Sequence, residues 1–340
     1  RGDLSTTTAS FDLIVVLVES ISPCIGQLST AESLIASIAG RSLSTKVMTP
    51  RVLAVSDEVH WTRRTANCSS FMTAEGDLSA TVASIRSREL ELYSNADLTL
   101  TLTDEDRDIF NRLRPGLSLR TLPYGLASPP TAALAAGFAE RAPVVLFVGS
   151  YRVHHRRVVR WLIRQVWPLV VARAPGASLR LAGSSQWRSE ALAAKSSGVA
   201  GVRALETTGG SSSLLHALRG ARVMVSPALA AASRLPVYGS LLAMTHGVPL
   251  VTTPVGSRGL LASRTPGAVA IAKTSAEFAQ QLAVLLSNET AWERQRELAR
   301  DHVAHHVGER SMLKQLRRSV AAVMAAGAAV PRHGEAAQAA

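Results

Sequence analysis

The sequence predicts an α/β chain built from two doubly wound domains, each a parallel sheet covered by helices. Three observations carry this. Apolar β-rich runs alternate with helical patterns, stop near residue 127, and restart near residue 144. Hydrophobic residues make up 47% of the chain and aromatics only 4%, a mix that suits Ala- and Val-rich helices on buried parallel strands. The stretch Ser240–Leu260, SLLAMTHGVPLVTTPVGSRGL, reads as a helix, a Gly247 stop, a buried strand over Val248–Thr253 and a Pro-Gly loop closing at Gly259. A glycine loop at the carboxyl end of a parallel strand is where such domains bind nucleotides.

In the first domain, Phe11–Val18 and Arg51–Ser56 are strands by their apolar, β-branched content. Leu78–Ala96 has helical spacing, with Ile85, Leu90, Leu92 and Ala96 as its expected apolar stripe. Leu98–Leu102 is a strand. Thr103 then caps a helix through Leu113, and Asp104, Glu105 and Asp106 favour its positive end. Arg114-Pro115-Gly116 stops that helix before a strand at Leu119–Leu122.

Pro129-Pro130 and the alanines after it mark a linker at 129–142. Beyond it, strands are expected at Val144–Val148, Leu179–Ala182, Val223–Ser226, Val248–Thr253 and Val269–Ile271. Helices are expected at Arg156–Ala174, up to Gly220, at Ser240–His246, at Ser275–Leu286 with Ser275 as cap, at Thr290–His302 and at Arg310–Ala325. The Ala/Gly-rich tail after Ala326 is expected to fray.

Two cysteines, Cys24 and Cys68, make neither a disulfide framework nor a zinc spacing. The longest apolar run, Leu13–Val18, is far too short to span a bilayer, and no leader opens the chain, so a cytoplasmic protein is expected. Arg1 is not a methionine, and the first domain reads as short, so an upstream portion is expected. The net charge of +12 favours anionic partners: nucleotide phosphates, or an acidic membrane surface touched peripherally. Nucleic acid is disfavoured, because aromatic stacking residues are sparse and no recognition motif is present. The motifs G-x-G-x-x-G, G-x-x-x-x-G-K-[ST] and G-x-S-x-G are absent, which argues against nicotinamide dehydrogenases, P-loop enzymes and α/β-hydrolases. Asn288-Glu289-Thr290 has the form of a glycosylation acceptor and is read as chance.

Leu146–Arg152, LFVGSYR, is a strand ending in a glycine turn that feeds a helix. Gly149 lets backbone approach a ligand, and the helix start presents amide donors. Arg152, Arg156 and Arg157 stand where a diphosphate would lie, and a guanidinium grips phosphate oxygens in pairs. His154 and His155 beside them read as surface residues, and no carboxylate or histidine completes a metal site.

These segments resemble GT-B glycosyltransferases, family 4 (group 1) in particular. The likeness runs over FVG and its basic loop, VVRWLIRQVWPLVVARAPGASLRLAG ending at Gly183, LRGARVMVSPA, and VTTPVGSRGL. It covers most of the chain and is strongest from Val144 to Leu260. The resemblance implies two Rossmann-like domains: an acceptor-side domain at 1–128, incomplete at its amino end, and a nucleotide-sugar domain at 143–310. Residues 311–340 would form a helix and a tail. It further implies sugar transfer from a UDP- or GDP-linked donor to a glycan or lipid-linked acceptor, with retention, without a metal and without a further cofactor. Donor contacts carried over by the resemblance are Gly149, Ser150, Arg152, Arg156, Gly183, Thr253 and Gly256, with backbone N–H groups from Gly239, Ser240 and Leu241. Val55–Arg63 resembles the family's Asp-x-x-His motif, which makes His60 the expected residue near the reacting centre.

The chain departs from the family at one point. Two glutamates eight positions apart are common there, and the equivalent positions hold Arg234 and Leu242. A leucine cannot accept hydrogen bonds from ribose hydroxyls, and losing such a charge-assisted bond costs about 1.5–3 kcal/mol. The alternative expectation is therefore a degenerate transferase that binds or scaffolds without turnover.

Overall fold

The computed structural model describes residues 13–18, 51–56, 75–128, 136–205, 211–230 and 237–328. The chain divides into two compact units, Arg1–Pro123 together with Met312–Ala340, and Tyr124–Ser311. Cys24, His60, Cys68, Pro129-Pro130 and Arg234 lie outside the described residues.

In the first unit the described strands are β1 (Leu13–Val18), β2 (Arg51–Ser56), β3 (Leu98–Thr101) and β4 (Leu119–Thr121), in the order β1-β2-β3-β4 and all parallel. Helix α1 (Glu75–Ser94) precedes β3. It buries Glu89, Leu92 and Tyr93, one stripe at i, i+3 and i+4, while Leu90 sits half-buried beside that stripe rather than on it. Tyr93 donates its hydroxyl proton to Glu89 and packs edge-on against Phe110 of helix α2 (Asp104–Leu113). The cap expected at Thr103 is present, its Oγ1 accepting from Asp106 N at 3.1 Å. Asp104 fastens α2 to the sheet by accepting from Thr121 Oγ1 at 2.6 Å.

In the second unit six described strands are all parallel: β5 (Val144–Val148), β6 (Ser178–Ala182), β7 (Val202–Ala204), β8 (Val223–Val225), β9 (Leu250–Thr252) and β10 (Ala270–Ile271). Their order is β10-β9-β8-β5-β6-β7, the doubly wound order with its reversal between β5 and β8. The period-2 rule sorts the core. Val145 and Phe147 of β5 face one cluster, which includes Trp167, Trp187, Phe278 and Trp292. Val144 and Leu146 face the other, with Leu218, Leu241, Met244 and Val303.

The first helix after β5 runs as α3 (Val153–Trp161), a π turn over Leu162–Val166, and α4 (Trp167–Arg173). The π turn has a cause. Pro168 has no N–H to give and would crowd an α turn, and the widened turn lets Trp167 N–H reach Leu162 O instead. The remaining helices are α5 (Trp187–Ser196), α6 (Ser211–Arg219), α7 (Val237–Thr245), α8 (Ser275–Ser287), α9 (Glu289–His306) and α10 (Glu309–Ala328). From Met312 onward α10 belongs to the first unit, where Val323 packs with Leu98 and Leu100.

Three local expectations are corrected. Thr274, not Ser275, caps α8 by accepting from Glu277 N, which leaves Ser275 to accept from the indole of Trp161. Helix α7 is described from Val237, so Ser240 lies within it and not at its start. Asn288, read as part of a chance sequon, caps α9 by accepting from Ala291 N. At the amino ends of the strands, Arg141 and Arg222 bond carbonyls at helix carboxyl ends: Arg141 reaches Leu218, Ala221 and His246, and Arg222 reaches Leu286. Burial pulls the Arg141 guanidinium down to about 10, assisted by Arg296.

Candidate functional site

The reversal between β5 and β8 opens a crevice beyond the carboxyl ends of those strands. Two glycine turns meet on its β5 side. Gly149 follows β5 and donates to Ala182 O at 3.0 Å. Gly183 follows β6 with φ 96°, and a β-carbon there would stand 2.7 Å from Gly149 O. Only glycine fits both demands.

Two buried rings fix this turn from behind. Trp187, fully buried at the start of α5, donates Nε1–H to Gly149 O at 2.7 Å and packs edge-on against Phe147 and Tyr151. His155 Nδ1 lies 2.9 Å from Ser150 O. The Ser150 hydroxyl oxygen also lies 3.3 Å from this nitrogen, but the carbonyl is nearer and can only accept, so the proton is assigned to Nδ1. His155 is thus a buried support of the turn, where a surface residue was expected.

The predicted arginines separate. Arg152 is exposed at the residue before α3. Arg156 is committed to Glu190, with Nε 3.3 Å from Oε1, and its guanidinium lies over the ring of Tyr151. Arg160 joins Glu190 at 3.0 Å, and the Tyr151 hydroxyl donates to the same carboxylate. Burial pushes the Glu190 carboxyl up, but hydrogen bonds and charge from Arg160 and Arg156 outweigh it and hold the group below the usual carboxylate range.

On the other side, the loop after β9 folds onto the end of β8. Thr252 Oγ1 donates to Ser226 O at 2.6 Å. Thr253 Oγ1 donates to Ala228 O at 2.6 Å and accepts from Ala228 N and Gly256 N at 2.9 and 3.2 Å. The hydroxyl's proton and both lone pairs are used within the protein, so the Thr253 side chain clamps the loop. Gly256 sits where a β-carbon would come 2.5 Å from Ser226 O. Gly149 and Gly256 therefore lie beyond the same end of one sheet.

Farther along the loop, His302 of α9 reaches Leu260 O through Nε2 at 2.8 Å and Thr265 Oγ1 through Nδ1 at 2.9 Å. Leu261, between those contacts, is the one non-glycine with positive φ among the described residues, at 51°.

Gly239 lies near the described amino end of α7, and Ser240 follows it within the helix. The Leu241 amide belongs to the helical ladder, and its side chain is fully buried in the core. Ser240 is buried as well, Gly239 has open space where a β-carbon would be, and Leu242 is half-buried against the same core.

Sequence reasoning missed Trp187, His155, Glu190, Thr252 and His302. Trp187 and Glu190 stand three apart on a helix that the sequence reading passed over; the serines ahead of Gln186-Trp187 were its available start signal. Among the described residues no three His, Cys, Asp or Glu side chains gather as a metal site, and no helix is long and apolar enough to cross a membrane.

Comparison with known proteins agrees with this geometry. Residues 142–288 match the family model described as Glycosyl transferases group 1. Among solved structures, Anabaena Alr3699/HepE in complex with UDP superposes with a TM-score of 0.62 at 11% identity, covering 91% of this chain and 78% of that one. WaaG, a glycosyltransferase involved in lipopolysaccharide biosynthesis, gives 0.56 at 16%, covering 89% and 98%. A variant of S. aureus TarM, in complex with fondaparinux, α-GlcNAc-glycerol and UDP, gives 0.58 at 11%, covering 86% of this chain but 58% of that one. The chain thus spans little more than half the length of the TarM relatives it matches, 53% in a second TarM structure. No curated protein sequence matches the chain. The fold is that of the GT-B glycosyltransferases. Within it, the second unit carries the group 1 glycosyltransferase match.

Proposed function

We propose that this protein moves a sugar from a nucleotide-sugar donor to a glycan or lipid-linked acceptor, and that the second unit binds the donor. The observation carrying this reading is the convergence of the Gly149 and Gly256 turns at the β5/β8 reversal of a group 1 domain. The donor diphosphate lies over the Gly149–Ser150 turn, with Arg152 offsetting its charge and the Gly239 amide, near the described amino end of α7, completing the cradle. Thr253, Gly183 and the Arg156–Glu190 pair hold that cradle in shape. Ser240 and Leu241 are buried within α7 and anchor it in the core.

The donor is UDP- or GDP-linked, with no further cofactor. Transfer proceeds with retention and without a metal, arginine charge supporting the leaving diphosphate. The resemblance assigns His60 to the chemistry of transfer. The protein works in the cytoplasm, its basic surface meeting anionic membrane peripherally. Support for UDP and for glycan acceptors comes from what HepE and TarM bind in their structures.

Isothermal titration of the full chain with UDP, GDP and ADP tests the reading. A dissociation constant in the micromolar to low millimolar range for UDP or GDP, lost in Arg152→Ala, is expected. No heat with any of the three nucleotides refutes donor binding.

A further inference from the structure

The turn after β5 has an unusual feature. Two consecutive carbonyls, Gly149 O and Ser150 O, each accept from a ring N–H that is itself buried, Trp187 Nε1 at 2.7 Å and His155 Nδ1 at 2.9 Å, and Ser150 O accepts in addition from Arg152 N at 2.9 Å. In a trans peptide the C=O and the following N–H point in opposite directions, and the described chain has no cis bond. Drawing Gly149 O toward Trp187 therefore turns the N–H of Ser150 away from the core. Drawing Ser150 O toward His155 does the same for the N–H of Tyr151. The backbone has little freedom to flip back. Gly149 N is already bound to Ala182 O, and the Gly183 turn presses on the Gly149 peptide from the other side. Successive amides turned outward form an anion-binding concavity.

We propose that Trp187 and His155 are positioning residues for the donor site: their ring N–H groups hold the Gly149 and Ser150 peptides in the one orientation that presents the Ser150 and Tyr151 amides to the donor diphosphate. The proposal rests on the donor reading above. Neither ring touches the ligand. Each acts through the peptide it holds, so donor affinity depends on two side chains inside the core. Tyr151 packs edge-on against Trp187, and its hydroxyl reaches Glu190, which ties the same turn to α5 on its outer side.

The test uses three variants of the full chain and titration calorimetry with UDP and, in parallel, GDP. Trp187→Phe keeps an aromatic ring against Phe147 and Tyr151 but has no N–H. His155→Asn places an amide N–H near the position of Nδ1. His155→Leu has nearly the shape of the asparagine variant without the donor. Affinity is expected to fall about five- to tenfold in Trp187→Phe and His155→Leu. It is expected to stay within about twofold of wild type in His155→Asn, a rescue that general loosening of the core would not produce. Equal affinity in the Asn and Leu variants overturns the proposal, as does wild-type affinity in Trp187→Phe, while donor binding itself stands. If Trp187→Phe does not fold, the Asn/Leu pair decides alone. If the wild-type protein binds neither nucleotide, the donor reading fails and this inference falls with it.

Discussion

A β-carbon at Gly256 would stand 2.5 Å from the Ser226 carbonyl oxygen and overlap the Thr252 hydroxyl. Those two groups are bonded to each other, and one of them is backbone, so neither can move aside cheaply. Gly256→Ala is expected to cost about 1–3 kcal/mol through overpacking. In a domain of this size that lowers the melting temperature by about 2–4 °C per kcal/mol, which a thermal scan reads directly. An unchanged melting temperature would mean that the loop does not close on β8. Leu242 poses the opposite question, because its side chain lacks a function rather than space. It is half-buried on α7, where the resemblance places a carboxylate that holds ribose. In Leu242→Glu a new charge-assisted acceptor is worth about 1.5–3 kcal/mol, less the cost of partly burying the charge. UDP or GDP affinity is therefore expected to rise about tenfold, with some loss of stability. Affinity that does not change would show that the ribose lies elsewhere. The sequence carries a direct signal for such positions, since a glycine or a misplaced leucine is visible in one dimension. Trp187 and His302 carry none, because each matters only through a carbonyl that is distant in the chain.

Among the described residues, His302 of α9 bonds the far end of the loop after β9 through both ring nitrogens. Burial lowers the His302 pKa against the opposing effect of its bond to Leu260 O, and the charges of His306 and Arg264 lower it further. His246 and His306 are shifted the same way, by burial first. A lowered pKa means that the folded state favours the neutral ring, while the unfolded chain protonates near its ordinary value of about 6.5. The stabilisation is thus complete above about pH 6.5 and is lost as pH falls toward the folded-state value. Urea midpoints should decline between about pH 7.5 and 5.5 in the wild type. In His302→Leu the protein should be weaker at the upper pH and the decline shallower. Parallel declines in the two proteins would remove His302 from this account. Elements differed in how legible they were. Helix α2 was readable because Thr103 and three acidic residues mark its start within one turn. Helix α7 already includes Val237, which the sequence reading left out because Tyr238 and Gly239 are poor helix signals, whereas Val237 and Leu241 are both buried in the core. The π turn escaped notice because the pattern over Arg156–Ala174 reads as one continuous helix through Pro168, while the widening that Pro168 imposes leaves no separate mark in the sequence, and packing of Trp167 and Val170 carries the helix through it.

At the scale of the whole chain, alternation of strand and helix predicted parallel sheets, and every described pairing is parallel. The order of the strands was not legible from local pattern. The β5–β8 pairing joins segments almost eighty residues apart, and only the resemblance anticipated it. Charge is the other property that belongs to the molecule rather than to any element. The net charge is +12, and much of it is arginine, which stays charged at any pH the protein meets. Arg141 and Arg222 spend their donors on helix carbonyls inside the second unit, whereas Arg157, Arg160 and Arg164 are exposed along α3 and the π turn. An excess carried on exposed arginines acts through solvent, so salt must screen it. The Debye length falls from about 10 Å at 0.1 M to about 3 Å at 1 M. The protein is therefore expected to cosediment with vesicles rich in phosphatidylserine at low salt, to be released as salt approaches the molar range, and to ignore pure phosphatidylcholine vesicles throughout. Replacing Arg157 and Arg164 together by glutamine should weaken vesicle binding while leaving UDP affinity nearly unchanged, because neither belongs to the Gly149 turn or to the Glu190 network that supports it. Binding to neutral vesicles that resists salt would show instead that an apolar surface drives the contact, and the arginines would then have no part in it.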